Sequence, residues 1–316
     1  MKLVVVFPNL SDAEKALFEE AAAPYELQIE YYDTNAEALE HVGDAEIVYG
    51  MGGDLCKAAT SAKWFASTSA GVNAYFPFLR EDTILTGASG AYGMGISEHV
   101  LMVTLELLRQ QAEVQESVQK HEWKKPTHIG SLFGKNVLML GTGDIGTHTA
   151  KRVKAFEPAE LVGLNRSGKA DPEVYDRIVT TDQLEEELPK ADIVIASLPE
   201  TSKTYNLLDK ERLALMKEGA LLINVGRGSL LNEDALYEAL RDGKLGGAAL
   251  DVFRTEPLPV DSPLYRAPNL IITPHCSGVL NVPETRRRNI SQFLENIPLF
   301  FAGKEMKHVI DLKKQY

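Results

Sequence analysis

"KNVLMLGTGDIGTHTAKRVKAF", residues 135–156, decides the fold. Residues 136–140 form a short apolar run of the kind buried in a parallel sheet. "GTGDIG" (141–146) follows at once, and an amphipathic helical pattern follows that. G-x-G-x-x-G alone is a weak pattern; between a strand and a helix it becomes a dinucleotide-binding turn. Gly141 allows the tight turn, Gly143 lets the backbone approach a pyrophosphate, and Gly146 lets the helix pack against the strand. Thr142, Asp144 and Ile145 complete the loop, and the helix N-terminus offers N–H groups to the phosphates.

Working outward, further strand patterns lie at 160–165, 191–199, 219–226, 246–252 and 269–275, separated by helical segments. Asn232 and Gly243 bracket one of these helices as N-cap and terminator. Six buried strands with crossover helices predict a doubly wound, Rossmann-type sheet. The first hundred residues alternate strand and helix on a smaller scale, with strands at 3–7, 29–33, 46–50 and 64–68, and Ser11 and Glu14 in a capping-box pattern. A single long helix is expected from about 94 to 119, apolar over a wide face. The stretch 122–134, broken by Pro126, is a candidate linker. Residues 284–316 read as an amphipathic helix and a polar tail, and "RRR" (286–288) as its solvated face.

Composition narrows the function. The chain has 316 residues, 44% hydrophobic and 25% charged, enough for two domains with real cores. A net charge of −12 disfavours nucleic acid as a partner. No apolar run is long enough to span a membrane. The two cysteines, Cys56 and Cys276, stand outside any metal-binding or disulfide pattern, so no metal is expected and a cytoplasmic location fits.

Three later strand ends carry candidate chemistry. "NVGRGS" places Arg227 after one strand, with Val225 and Gly226 before it. "DVFRTEPLP" places Asp251 and Glu256 after the next, and "TPHCSG" (273–278) places His275 after the last. Ligands bind at the carboxyl ends of such strands. An arginine there can fork onto a carboxylate. A carboxylate partner favours the protonated imidazole, so His275 can donate a proton near neutrality. These parts fit hydride transfer to a 2-keto acid, with His275 protonating the oxygen and Arg227 holding the carboxylate. Cys276 reads as a small packing residue. At the end of the second strand an acid usually binds the ribose 2′-hydroxyl of NAD. Here "LNRSGK" (164–169) offers Asn165, Arg166 and Ser167 instead, which favours NADP(H), with NAD(H) as the alternative.

In order and spacing these motifs resemble the D-isomer-specific 2-hydroxyacid dehydrogenases over nearly the whole chain. The resemblance implies a Rossmann-type domain inserted in a smaller flavodoxin-like α/β substrate domain, with residues 96–280 binding the dinucleotide and 1–95 plus 281–316 forming the substrate domain. It makes the 122–134 linker an internal loop. It carries the catalytic set onto Arg227, Glu256 and His275. It puts Asp251 near the nicotinamide carboxamide and lines the cofactor groove with Leu198, Pro199 and Thr204. "SAGVN" (69–73) resembles the loop whose backbone binds the substrate carboxylate, through Ala70, Gly71 and Val72. The helix from 95 resembles the one that helps build a homodimer. Asn73 stands where many members carry Asp.

Met51 and Gly52 after a substrate-domain strand are candidates for substrate binding or for a simple turn. Gly278 is expected to let the chain pass close to the nicotinamide. Tyr75, Phe76 and Phe78 could shape a pocket or belong to the core. His148 is expected at the surface and His99 in a structural role. The expected substrate is a small 2-keto or 2-hydroxy acid, with phosphoglycerate disfavoured because the chain has no room for a regulatory domain. The alternative from another class is a nucleotide-sensing regulatory protein on the same fold without turnover.

Overall fold

Two parallel sheets organise the computed structural model, which describes residues 1–126 and 128–313. The expected tail at 314–316 and Thr127 of the candidate linker lie outside the described residues. The chain divides into two units: Met1–Tyr92 together with the chain from Leu280 onward, and Gly93–Val279.

The first unit contains β1 (Lys2–Val6), α1 (Asp12–Ala22), β2 (Gln28–Tyr32), α2 (Asn35–Ala38), β3 (Ile47–Gly50), α3 (Gly53–Ala58), β4 (Trp64–Ser67) and β5 (Ile84–Thr86). All pair in parallel in the order β2-β1-β3-β4-β5, the flavodoxin-like order. The three-residue edge strand β5 adds to the four strands read from the sequence. Side chains alternate across β1: Leu3 and Val5 enter one core, Val4 and Val6 the other. Ser11 caps α1 in the predicted capping box.

The second unit contains α4 (Gly93–Leu108), α5 (Gln111–Gln119), β6 (Asn136–Leu140), α6 (Asp144–Lys154), β7 (Glu160–Leu164), β8 (Arg177–Val179), α7 (Leu184–Glu187), β9 (Ile193–Ala196), α8 (Lys210–Leu215), β10 (Ala220–Asn224), α9 (Glu233–Arg241), β11 (Leu245–Leu250) and β12 (Leu270–Ile272). Its sheet runs β12-β11-β10-β9-β6-β7-β8, all parallel, with the order reversing between β6 and β9. It has seven strands where the sequence suggested six; β8 is another three-residue edge strand. The single helix expected from 94 to 119 is two helices, because Gln110 adopts a left-handed φ of 54°. Residues 109–113 are mostly polar and offer no apolar stripe to hold the helix straight.

The chain closes with α10 (Pro283–Phe301), which completes the first unit. Its Phe293 ring stacks on Tyr49 at 4.3 Å and on Trp64 at 4.8 Å. Arg286 is not on a solvated face. Its guanidinium forks onto Glu14, donates to Pro8 O and Asn9 O at 2.9 Å each, and lies 4.6 Å from the Phe7 ring centre. The helix turns this arginine back toward the first strand, while Arg287 and Arg288 pair with Glu284.

Candidate active site

The dinucleotide turn is built as its glycines require. A Cβ on Gly146 would lie 1.9 Å from Gly141 O, so only glycine lets α6 start this close to β6. A Cβ on Gly143 would meet nothing within 4 Å. The loop is therefore open where a pyrophosphate would approach, and it leads into an eleven-residue helix. A nicotinamide dinucleotide fits this cradle. Asp144 accepts from Gly93 N at 2.7 Å and faces His148 Nε2 at 3.5 Å. His148, on α6, is thus half-buried beside Gly93 at the start of α4, not at the surface as expected.

After β7, Asn165 is committed to shaping its own loop. Its Nδ2 donates to Thr142 Oγ1 (2.6 Å) and Lys169 O (2.8 Å), while its Oδ1 accepts from Ser167 N and Gly168 N. Ser167 Oγ donates to the same Oδ1 at 3.1 Å. Arg166 and Lys169 are left exposed on this turn. Lys169 was not singled out in the sequence. After β9, Leu198 is buried, Pro199 exposed, and Thr204 Oγ1 donates to Pro199 O at 2.6 Å.

The three catalytic candidates meet at the carboxyl ends of β10, β11 and β12. His275 Nδ1 lies 2.6 Å from Glu256 Oε2. Glu256 is fixed in turn by Phe253 N, which donates to its Oε1 at 2.9 Å. With Nδ1 on the carboxylate, Nε2 is the nitrogen available for proton transfer. His275 sits at φ 51°, a left-handed backbone held by its N–H donating to Asp251 O (2.9 Å) and Thr273 O (3.0 Å). Arg227 is half-buried beside them and donates Nη1 to Gly226 O at 2.7 Å. Burial lowers its pKa, while the charges of Glu200 and Glu256 act in the opposite sense. Asn224, missed in the sequence, shapes this turn by bonding Gly226 N and Arg227 O. A Cβ on Gly228 would fall 1.9 Å from Phe253 C, so glycine is required where the two loops cross.

Asp251 is buried and turned onto its own chain. Its carboxylate accepts from Thr273 Oγ1 (2.6 Å), Cys276 N (2.9 Å) and Ser277 N (3.0 Å). This acid, expected beside the carboxamide, ties down the loop that carries His275, and its oxygens are occupied in doing so. Half-buried His99 reaches Thr273 Oγ1 at 3.3 Å, extending the same network to α4. Cys276 is exposed rather than packed, and partial burial with the Asp251 charge pushes its thiol up, away from the reactive thiolate. Gly278 is half-buried.

Arg227, Glu256 and His275 line one cavity of about 250 Å³ with Glu200, Ser229 and Phe253. Glu200 and Ser229 were also missed. Arg254 borders the cavity, but its guanidinium is engaged by Leu231 O, Asn206 Oδ1 and the Tyr205 ring. Among the described residues no cluster of His, Cys, Asp or Glu is arranged to hold a metal. No described helix is long and apolar enough to cross a membrane.

In the first unit, Ser67 and Ser69 order the 69–73 loop through Ser69 N and Gly71 N. Ala70 and Met51 are exposed, Val72 is buried, and Gly52 N donates to Tyr75 Oη at 3.3 Å. Tyr75 belongs to the core, Phe76 is half-buried and Phe78 is exposed.

Residues 101–277 match the NAD binding domain of the D-isomer specific 2-hydroxyacid dehydrogenases. The chain belongs to that family. A nicotinamide cofactor follows from this membership and from the open turn at Gly143. A D-3-phosphoglycerate dehydrogenase of Methanocaldococcus jannaschii is 32% identical across 99% of this chain, which spans 60% of that protein's length. A family member of known structure from Aeromonas salmonicida is 35% identical, with a TM-score of 0.86 over 98% of this chain and 99% of the other. The NADPH-dependent glyoxylate/hydroxypyruvate reductase of Sinorhizobium meliloti, solved with NADP and sulfate, is 25% identical, with a TM-score of 0.82 over both full chains.

Proposed function

We propose that this dehydrogenase-family chain is an NADPH-dependent reductase that converts a small 2-keto acid to the D-2-hydroxy acid. One observation carries the reading: His275, oriented by Glu256, shares a cavity with a half-buried arginine. Arg227 forks onto the substrate carboxylate and orients the adjoining carbonyl. When bound, the reduced nicotinamide supplies hydride to the carbonyl carbon. His275 Nε2 delivers the proton to the carbonyl oxygen, and Glu256 stabilises the imidazolium beforehand. The second unit is assigned to the dinucleotide and the first, with its 69–73 loop and Met51–Gly52, to substrate recognition.

The NADPH preference rests on the turn after β7, which presents Arg166 and Lys169 and has no carboxylate at Asn165 to repel a 2′-phosphate. A homodimer is proposed from the apolar side chains exposed on the second unit outside its sheet: Trp123 is fully exposed, Phe133 66% and Ile129 55%.

The test is oxidation of NADPH and NADH with glyoxylate, hydroxypyruvate, pyruvate and bulkier 2-keto acids. Turnover with at least one acid and higher kcat/KM with NADPH are expected. Tight cofactor binding with no turnover on any acid would replace the reductase by a nucleotide sensor. His275→Ala should abolish reduction while leaving NADPH binding in place; retained turnover would remove His275 as proton donor.

A further inference from the structure

Two loops of the first unit, Met51–Gly52 and 69–73, are joined by one buried hydroxyl. They follow the neighbouring strands β3 and β4, whose ladder ends where Thr68 N donates to Gly50 O at 3.0 Å. Beyond that bond the sheet no longer sets the distance between the chains. Tyr75 supplies the tie. Its hydroxyl accepts from Gly52 N at 3.3 Å and lies 2.8 Å from Ser67 Oγ.

Ser67 carries the tie into the second loop. Its Oγ accepts from Ser69 N at 3.0 Å and donates to Ser69 O at 3.2 Å. The Tyr75 hydrogen therefore goes to Ser67 Oγ, and each hydroxyl has one acceptor for its hydrogen. Ser69 Oγ in turn accepts from Gly71 N at 3.1 Å. Tyr75 is 2% exposed and Ser67 4%, so the two central links are shielded from water. Burial also raises the Tyr75 pKa, which keeps the phenol protonated at neutral pH.

Other bonds fasten each loop to its own surroundings. Asn35 Nδ2 donates to Met51 O at 2.8 Å, while Asn289 Nδ2 and Tyr92 Oη donate to Thr68 O at 2.7 and 2.5 Å. None of these runs from one loop to the other. The two segments do touch: a Cβ on Gly53 would lie 2.8 Å from Ala74 O. Packing thus sets a lower limit on their separation, and the hydroxyl chain holds them near it.

We propose that the Tyr75 hydroxyl is a positioning group for the substrate. Through Gly52 and Ser67 it fixes the spacing of the two loops assigned to the 2-keto acid, without touching the acid itself. This rests on the reductase reading above. Arg227, Glu256 and His275 belong to the other unit, so losing this hydroxyl weakens substrate binding more than it slows hydride and proton transfer.

The experiment measures initial rates with NADPH against glyoxylate and pyruvate, in the wild type, Tyr75→Phe, Ser67→Ala, the double variant and Phe18→Leu. Tyr75→Phe keeps the ring and should raise KM for the keto acid about five- to tenfold, with kcat and KM for NADPH within about twofold of the wild type. Ser67→Ala should raise the same KM. The double variant should go no further than the larger single change, because both cut one chain. Phe18→Leu loosens the core on the other side of the sheet and should lower stability in urea while leaving the keto acid KM in place. Turnover with a KM that Tyr75→Phe leaves unmoved overturns the positioning role and leaves the reductase reading standing. So does an equal rise in Phe18→Leu, which would make the effect one of general stability, or a double variant whose effects add. No turnover of either keto acid by the wild type overturns both. Circular dichroism establishes that each variant is folded; should Tyr75→Phe not fold, Ser67→Ala set against Phe18→Leu decides the matter by the same KM.

Discussion

Replacing Arg286 by Leu tests how the C-terminal helix is fastened to the first sheet. The Arg286 and Glu14 side chains are 17% and 22% exposed, so their pairing is largely shielded from solvent. Hydrogen bonding from Arg286, with help from Ser11, holds the Glu14 carboxyl at about 2 instead of 4.5. That difference corresponds to on the order of 3 kcal/mol of folding stability. The sign follows from the depressed value. The stabilisation is fully present above the unfolded carboxyl's pKa, near 4.5, and is lost as pH falls from there through about 2. In Arg286→Leu the carboxyl loses its main partner, and Pro8 O and Asn9 O lose their donors. Urea unfolding should show the variant less stable by about 2–3 kcal/mol from pH 7 to about 5, with the gap to wild type closing below pH 4. Fluorescence of Trp64, fully buried against Phe293, reports this unit once the exposed Trp123 is replaced by Phe in both proteins. A gap that stays constant down to pH 2.5 would refute the electrostatic account and leave only lost packing.

Other outcomes follow from the second unit. Glu256→Gln should lower kcat by roughly 100-fold, since the imidazole loses its charged partner but keeps its place; an unchanged kcat would count against that partnership. Arg166→Ala combined with Lys169→Ala should raise KM for NADPH about tenfold and leave that for NADH nearly unchanged, as read from initial rates. Thr273→Val removes a donor from buried Asp251 and should destabilise the unit by about 1–2 kcal/mol in chemical denaturation while lowering kcat, because the loop carrying His275 loosens. Trp123→Ser with Phe133→Ser should shift sedimentation toward a monomer.

The extent to which the sequence could be read followed the range of the interactions. The cofactor turn, the capping box at Ser11 and the cap at Asn232 are local, and each stands where its few residues imply. Strand-end placement likewise brought Arg227, Glu256 and His275 together, since a parallel sheet collects the ends of its strands on one edge. The edge strands β5 and β8 are three residues long, too short for periodicity to mark. Gln110 breaks a helix through one backbone angle that its side chain does not announce. Arg286 looked like one of three solvated arginines because its partners lie more than 270 positions away. The bonds that Asp251 makes were not legible, because they run to backbone N–H groups that only the folded loop presents. Glu200 and Ser229 belong to separate motifs, and their contact depends on two loops converging.

The aromatic stack of α10 on the first sheet bears on how the protein is made. Trp64, Tyr49 and Phe18 leave the ribosome more than 220 residues before Phe293, the ring that covers them. During that interval the first sheet has one core closed by its own helices and one face covered only in part, by α1 through Phe18. The second unit has its whole sequence available earlier, from local crossovers. The N-terminal unit is therefore the last to finish, and a chain stopped anywhere before α10 presents an apolar aromatic surface to the cell's quality control.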